Sequence, residues 1–192
     1  MDKRLVKPAS INGLWIIDRP ILSDERGFFR EVFRLSELEE VIDKEFKVRQ
    51  WSHSRSKPGV LRGLHAEPWN KLAYCVKGEV FVAIVDLRPD SETFGRHQTF
   101  EFGESNRKAL FVSQGLAHGF YIKPTQGDKQ AIEDGQAEYC YLVDQEYISG
   151  PHTALTWNDP DVRIPWPTKI PELSEKDKHN PTLRELFPEK FK

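Results

Sequence analysis

Cysteine is scarce in this chain of 192 residues: there are two, Cys75 and Cys140, both inside apolar runs. Two thiols in such surroundings read as buried and reduced, which points to the cytoplasm rather than to a disulfide-built secreted protein. An excess of one charge is also lacking, since 28 Lys and Arg stand against 30 Asp and Glu for a formal net charge of −2. Without a basic surplus there is no general field to hold a polyanion, so nucleic acid is not an expected partner. No apolar run approaches the roughly 20 residues that span a bilayer, and Met1-Asp2-Lys3-Arg4 leads into no secretory apolar stretch, so no membrane partner is expected either. Repeats, low-complexity tracts and Ser/Gly linkers are missing, and 22.3 kDa suits one domain over residues 1–192.

What the chain does have is twelve Phe, five Trp and five Tyr among thirteen prolines and twelve glycines. Many rings and many chain-breakers favour short strands and turns over long helices. Strand-like runs occur at Leu14 to Ile17, Lys71 to Leu87 with a turn at Lys77-Gly78, Thr99 to Phe102, Ala109 to Val112, Phe120 to Ile122 and Ala137 to Val143. Runs this short, punctuated by Gly, Pro, Asp and Asn, predict an antiparallel sandwich or barrel. One helix is expected behind a capping box of Ser36 and Glu39, with Leu38, Val41, Ile42 and Phe46 on its apolar stripe, and a shorter one near Thr182 to Phe187. From about Asp159 the tail holds six of the thirteen prolines and reads as an extended arm wrapped on its own domain or on a neighbour.

The densest polar segments are Gln50-Trp51-Ser52-His53-Ser54-Arg55-Ser56 and Arg62-Gly63-Leu64-His65-Ala66-Glu67-Pro68-Trp69-Asn70-Lys71. His65 is expected at the edge of a β-rich run, facing a barrel mouth; a surface histidine on a loop is the plainer reading. His65, Glu67 and Lys71 repeat the spacing of the metal motif His-x-His-x(3,4)-Glu, with His118 as a distant fourth member. A divalent site of that kind wants neutral imidazoles and a carboxylate, and a lysine in the acidic position would repel the cation. His65, Glu67 and His118 alone would make only a weak site, so no metal and no cofactor is expected. A fixed ammonium can instead stabilise negative charge growing on a substrate oxygen, and a histidine beside it suits proton abstraction next to a ketone. In Tyr139-Cys140-Tyr141-Leu142-Val143, alternation turns Tyr139 and Tyr141 to one side, where a phenol could donate a proton or simply pack.

Eight short motifs then follow in order. They are Asp24-Glu25-Arg26-Gly27-Phe28-Phe29, Arg62-Gly63-Leu64-His65, Val85-Asp86-Leu87-Arg88, Thr93-Phe94-Gly95, Ala117-His118-Gly119-Phe120, Trp157-Asn158-Asp159-Pro160, Trp166-Pro167 and Ser174-Glu175-Lys176-Asp177. The series resembles the dTDP-4-dehydrorhamnose 3,5-epimerases, small cupins of nucleotide-sugar metabolism, over about residues 11 to 180. The resemblance implies a mainly β, cupin-type double-stranded β-helix, a jelly-roll barrel with a few short helices. It implies a cofactor-independent isomerase of dTDP-rhamnose biosynthesis that inverts C3, C5 or both of a nucleotide-linked 4-keto-6-deoxyhexose, in the cytoplasm and as a homodimer. By the same resemblance His65 is the proton acceptor, Asp177 its carboxylate partner, Tyr141 the proton donor and Lys71 the lysine near the sugar's C4 oxygen. Arg26 and Glu31 fall on residues that bind the nucleotide end, Gln50, Ser52 and Arg62 on polar binding positions, His118 on a binding histidine, and Tyr147 on the ring that stacks on thymine. The chain departs from the family pattern at Trp51-Ser52, at His152 where a glutamate is usual, and around Asp144-Gln145-Glu146-Tyr147. These changes bear on the sugar and base pockets more than on the acid–base pair. Two cupin alternatives stay open, a sugar 3,4-ketoisomerase and a metal-binding dioxygenase or sensory module, as does a non-catalytic sugar-nucleotide binder.

Overall fold

The computed structural model describes residues 5–42, 44–124, 135–150 and 152–191. In chain order the elements are β1 (Val6–Pro8), β2 (Leu14–Ile17), β3 (Leu22–Asp24), β4 (Gly27–Phe29), α1 (Leu35–Ile42), β5 (Gln50–Ser56), β6 (Leu61–Ala66), β7 (Lys71–Lys77), β8 (Glu79–Asp86), β9 (His97–Gly103), β10 (Ala109–Val112), β11 (Leu116–Ile122), β12 (Ala137–Val143), β13 (Thr153–Ala154) and α2 (Leu183–Leu186). A six-stranded sheet runs β1-β2-β10-β7-β12-β5 and a five-stranded sheet β13-β6-β11-β8-β9, while β3 and β4 form a hairpin of their own. The named strand pairs are antiparallel, and most neighbours are far apart in sequence. This is the expected cupin-type jelly roll. The main core lies between the two large sheets: Leu14, Leu110, Val112 and Tyr139 on one side meet Val82, Ile84, Phe120 and Ile122 on the other. Cys75 and Cys140 are buried free thiols, and burial with the charges of Glu79 and Glu104 pushes Cys75 up to about 12, which leaves it inert.

The apolar runs became strands with few changes, and Gly78, at φ 78°, makes the turn between β7 and β8. The polar runs behaved otherwise. Residues 50–56 form β5, in which Gln50, Ser52, Ser54 and Ser56 turn inward while Trp51, His53 and Arg55 face out. His65 is not on a loop: it is the next-to-last residue of β6, paired with His118 of β11 and Ala154 of β13. Helix α1 starts before Ser36, so Ser36 is inside its first turn, and the Glu39 carboxylate accepts from the Phe46 backbone N–H at 2.8 Å. The reciprocal capping box occurs at α2 instead, between Thr182 and Glu185.

The proline-rich tail lies along its own domain. Glu172 exchanges backbone bonds with Gly59 and Leu61, at 2.8 and 2.9 Å, beside β6. Leu173 and Trp166 pack on Leu61, Phe81 and Tyr121, and Val162 and Leu183 join Leu64, Val85 and Leu155. The buried Asp159 carboxylate fastens the segment by accepting from the backbone N–H groups of Asp161, Val162 and Leu183. That path delivers the turn Asp177–His179 to the mouth of the barrel. Among the described residues no helix is long and apolar enough to cross a membrane.

Candidate active site

At that mouth lies a cleft of about 410 Å³ between the two sheets, closed on one side by the tail. Each wall comes from a different stretch of chain: His65 and Arg62 from β6, Lys71 from β7, His118 from β11, Tyr141 from β12, and Asp177 from the tail. Close approach of β6 to β11 depends on Gly63, whose φ is 111° and where a Cβ would stand 2.6 Å from the His118 carbonyl oxygen. The ladder also shifts register between His118 and Phe120. This irregularity places both imidazoles at one level of the barrel.

One short contact in the cleft joins His65 Nε2 to Asp177 Oδ1 at 2.7 Å, across 112 residues of sequence. Burial would raise the Asp177 carboxyl, but the hydrogen bond and charge of His65, with help from Ser174 and the Gly63 N–H, hold it below the usual carboxylate range. An ionised carboxylate only accepts, so Nε2 bears a proton, and in the neutral ring the lone pair then lies on Nδ1. That is the tautomer a general base needs.

On the facing wall the Lys71 ammonium donates to Glu67 Oε2 at 2.7 Å and lies 5.6 Å from the centre of the Tyr141 ring. Burial and the Glu67 charge raise the Tyr141 phenol, against smaller opposing effects of Ser52 and Arg62, so it remains protonated at neutral pH. His118 is fully enclosed; burial first, then the charges of Lys71 and His65, push it well below its ordinary value. It is a neutral ring whose Nε2 lies 3.1 Å from the Tyr139 hydroxyl. The cleft therefore combines an oriented base, a protonated phenol, an ammonium and a neutral imidazole. Such a set can remove a proton from carbon, hold charge on an adjacent oxygen and return a proton from another direction. Among the described residues no group of three or more His, Cys, Asp and Glu is arranged to hold a metal ion. Glu67, which stands at a position of the metal-type spacing, is engaged by Lys71.

The remaining expected residues divide. Arg62 lines the cleft and donates from Nε to Ser56 Oγ at 2.8 Å. Gln50 donates to Ser52 Oγ at 2.9 Å and accepts from the Tyr147 backbone N–H at 2.8 Å, so those three form one linked group beside Tyr141. Tyr147 is exposed, and its ring stands with Trp69 and His152 in an aromatic cluster with centroids 5.4 to 6.4 Å apart. Arg26 and Glu31 are not brought to the cleft within one chain. Arg26, in the β3–β4 turn, binds Asp24 at 2.5 Å, and Glu31 binds Arg19 and Arg34. Two residues named in the sequence reading take roles it did not assign. Glu67 serves as the partner of Lys71, and Tyr139 as that of His118; the shared face of Tyr139 and Tyr141 was the available signal for the second.

The chain is similar to known proteins over most of its length. The family model for dTDP-4-dehydrorhamnose 3,5-epimerase matches residues 8–185. A protein of that name from Shigella flexneri is 36% identical over 173 residues, covering 88% of this chain and 90% of its own. A solved 3,5-epimerase from Legionella pneumophila, in complex with dTDP-4-keto-L-rhamnose, superposes with a TM-score of 0.84 at 32% identity, covering 96% of this chain and 95% of its own. A 3'-monoepimerase from Streptomyces bikiniensis, in complex with dTDP-quinovose, superposes with a TM-score of 0.84 at 30% identity, covering 95% and 90%.

Proposed function

Because this chain belongs to the dTDP-4-dehydrorhamnose 3,5-epimerase family and is thereby an isomerase, we propose that it inverts C3, C5 or both of dTDP-4-dehydro-6-deoxyglucose. The protons at C3 and C5 lie next to the C4 carbonyl, so their removal leaves an enolate with its charge on O4. In this reading His65 Nδ1 takes the proton while Asp177 holds the ring and its charge. Lys71 faces O4 and offsets the growing oxyanion. Tyr141, kept protonated by its surroundings, returns a proton from the opposite face, which inverts the centre with no change of oxidation state. Arg62 suits a diphosphate oxygen, and Gln50, Ser52 and His118 offer neutral polar contacts to the sugar. Tyr147 offers a ring face to the base.

The observation that carries the reading is the His65–Asp177 contact at 2.7 Å opening on the same cleft as Lys71 and Tyr141. Arg26 and Glu31 enter the reading through a cytoplasmic homodimer, as nucleotide-binding groups offered to a partner's cleft. Its support is the β3–β4 hairpin, which leaves Leu22, Phe28 and Phe29 more than half exposed in one chain. Light scattering at the mass of a single 22.3 kDa chain would remove that part. The central test is incubation with dTDP-4-dehydro-6-deoxyglucose in deuterium oxide, read by NMR of the ring protons. The wild type should exchange and invert at C3, C5 or both, and His65→Ala should do neither. No exchange by the wild type would remove this substrate; wild-type exchange by the variant would remove His65 as the base.

A further inference from the structure

We infer that Glu67 is a positioning residue for the proton chemistry of this cleft: its carboxylate fixes the Lys71 ammonium beside the Tyr141 ring and holds a negative charge close to the Tyr141 phenol. The inference rests on the epimerase reading above and adds a residue to it.

The geometry begins with the chain. Glu67 follows the last residue of β6, two positions after His65, and Pro68 then breaks the ladder before Lys71 opens β7. The short connection returns the lysine toward the glutamate, and Oε2 accepts from Nζ at 2.7 Å. Both side chains are enclosed, at 16% exposure for Glu67 and 6% for Lys71. A lysine ammonium carries three rotatable donors on a flexible stem and has no preferred direction of its own. Bound to a half-buried carboxylate it acquires one, and here that direction places it 5.6 Å from the Tyr141 ring.

The second consequence is electrostatic. Tyr141 shares its cleft with Lys71 from β7, Arg62 and His65 from β6, His118 from β11, and Glu172, Lys176 and Asp177 from the tail, and the Ser52 hydroxyl of β5 bonds to it. Burial does most to raise its phenol, and the Glu67 charge is the next cause in size, while Ser52 and Arg62 act the other way. The Asp177 charge is taken up by His65. Of the three carboxylates that line the cleft, Glu67, Glu172 and Asp177, Glu67 is the one whose charge acts on the phenol, even with Lys71 bound to it.

Glu67→Gln separates charge from shape, because the amide oxygen can still accept from Lys71. In the substrate-free protein the Tyr141 titration can be followed by NMR of tyrosines carbon-13 labelled at Cζ, with Tyr141→Phe giving the assignment. Removing the negative charge should lower the Tyr141 midpoint by about one pH unit. In turnover, kcat should fall by about tenfold or more with KM within about threefold, and the alkaline limb of the pH profile should move down with the midpoint. Glu67→Asp, which keeps the charge, should return the limb toward its wild-type position. An unmoved midpoint overturns the inference whether or not substrate is turned over. So does a loss of kcat that is equal at every pH, the mark of a merely structural role. A wild type that exchanges no proton from the sugar would instead remove the epimerase reading, and the substrate-free titration would still report on Glu67.

Discussion

Asp177→Asn removes one charge from the cleft and little volume, and its effect can be worked from a single contact. The bond from His65 Nε2 to Asp177 Oδ1 is 2.7 Å long and charge-assisted, with the carboxylate buried and the imidazole about one-third exposed. Bonds to charged groups contribute about 1.5–3 kcal/mol. If that strength holds the ring and the charge it acquires, then at about 1.36 kcal/mol per decade the rate should fall about ten- to hundredfold. The asparagine can also turn its amide N–H toward the ring, which would move the imidazole proton to Nδ1 and block the base. Deuterium uptake at C3 and C5 of the 4-keto sugar should therefore slow by at least tenfold, with KM nearly unchanged. Stability should follow the opposite course with pH from what a raised group would give. The Asp177 carboxyl is held below its unfolded value of about 3.9, so its contribution is complete above that value and lost as pH falls through the folded one. The wild type should thus lose stability on acidification more steeply than the variant, while at neutral pH the variant should melt about 3–12 °C lower, from about 1.5–3 kcal/mol at about 2–4 °C per kcal/mol. The tail itself should stay docked, because Val162, Leu183, Trp166 and the Glu172 backbone bonds hold it independently of the carboxylate. Exchange by Asp177→Asn at the wild-type rate would refute the reasoning, and so would an acid limb identical in the two proteins.

Two further outcomes can be checked with the same protein. Tyr141→Phe should keep deuterium exchange at the carbons within about tenfold of the wild type while net inversion falls much further, and equal loss of both would show that the phenol does more than return a proton. Gly63→Ala should destabilise the fold by about 2 kcal/mol or more in urea titration, since φ is 111° and the new Cβ would meet the His118 carbonyl oxygen at 2.6 Å. A variant of wild-type stability would mean that β6 and β11 can separate at this point without cost.

The apolar part of the fold was legible because its strands bury one or both faces. Ala109–Val112 and Ala137–Val143 have the limits that alternation and flanking turn residues suggest. Strand β5 was read only as a polar segment because its inward residues are Gln50, Ser52, Ser54 and Ser56, and its largest apolar side chain, Trp51, is 65% exposed. The usual rule is inverted there for a functional reason: the inner face of this strand borders the cleft. Polar residues at inward positions are what a binding wall needs and what a periodicity argument discards. The same inversion hid the setting of His65, whose strand carries Arg62 and Gly63 where a core would carry large apolar groups.

Residue chemistry picked out candidates, and only the family resemblance paired His65 with Asp177; neither paired Lys71 with Glu67. Spacing in sequence linked His65 to Glu67 and Lys71, and in the folded chain the last two bind each other while His65 turns to a carboxylate 112 residues away. Nothing local specifies that partner. It is set by the tail, where the buried Asp159 carboxylate, the packing of Val162 and Leu183, and the parallel bridge from Glu172 to the chain around Val60 fix the path of the chain before Asp177 arrives. The prolines that keep the segment from joining a sheet leave it free to cross the barrel mouth. A sequence near zero net charge thus builds a charged site by two long-range acts, burying Lys71 against Glu67 and docking Asp177 on His65, and both depend on the barrel being folded first.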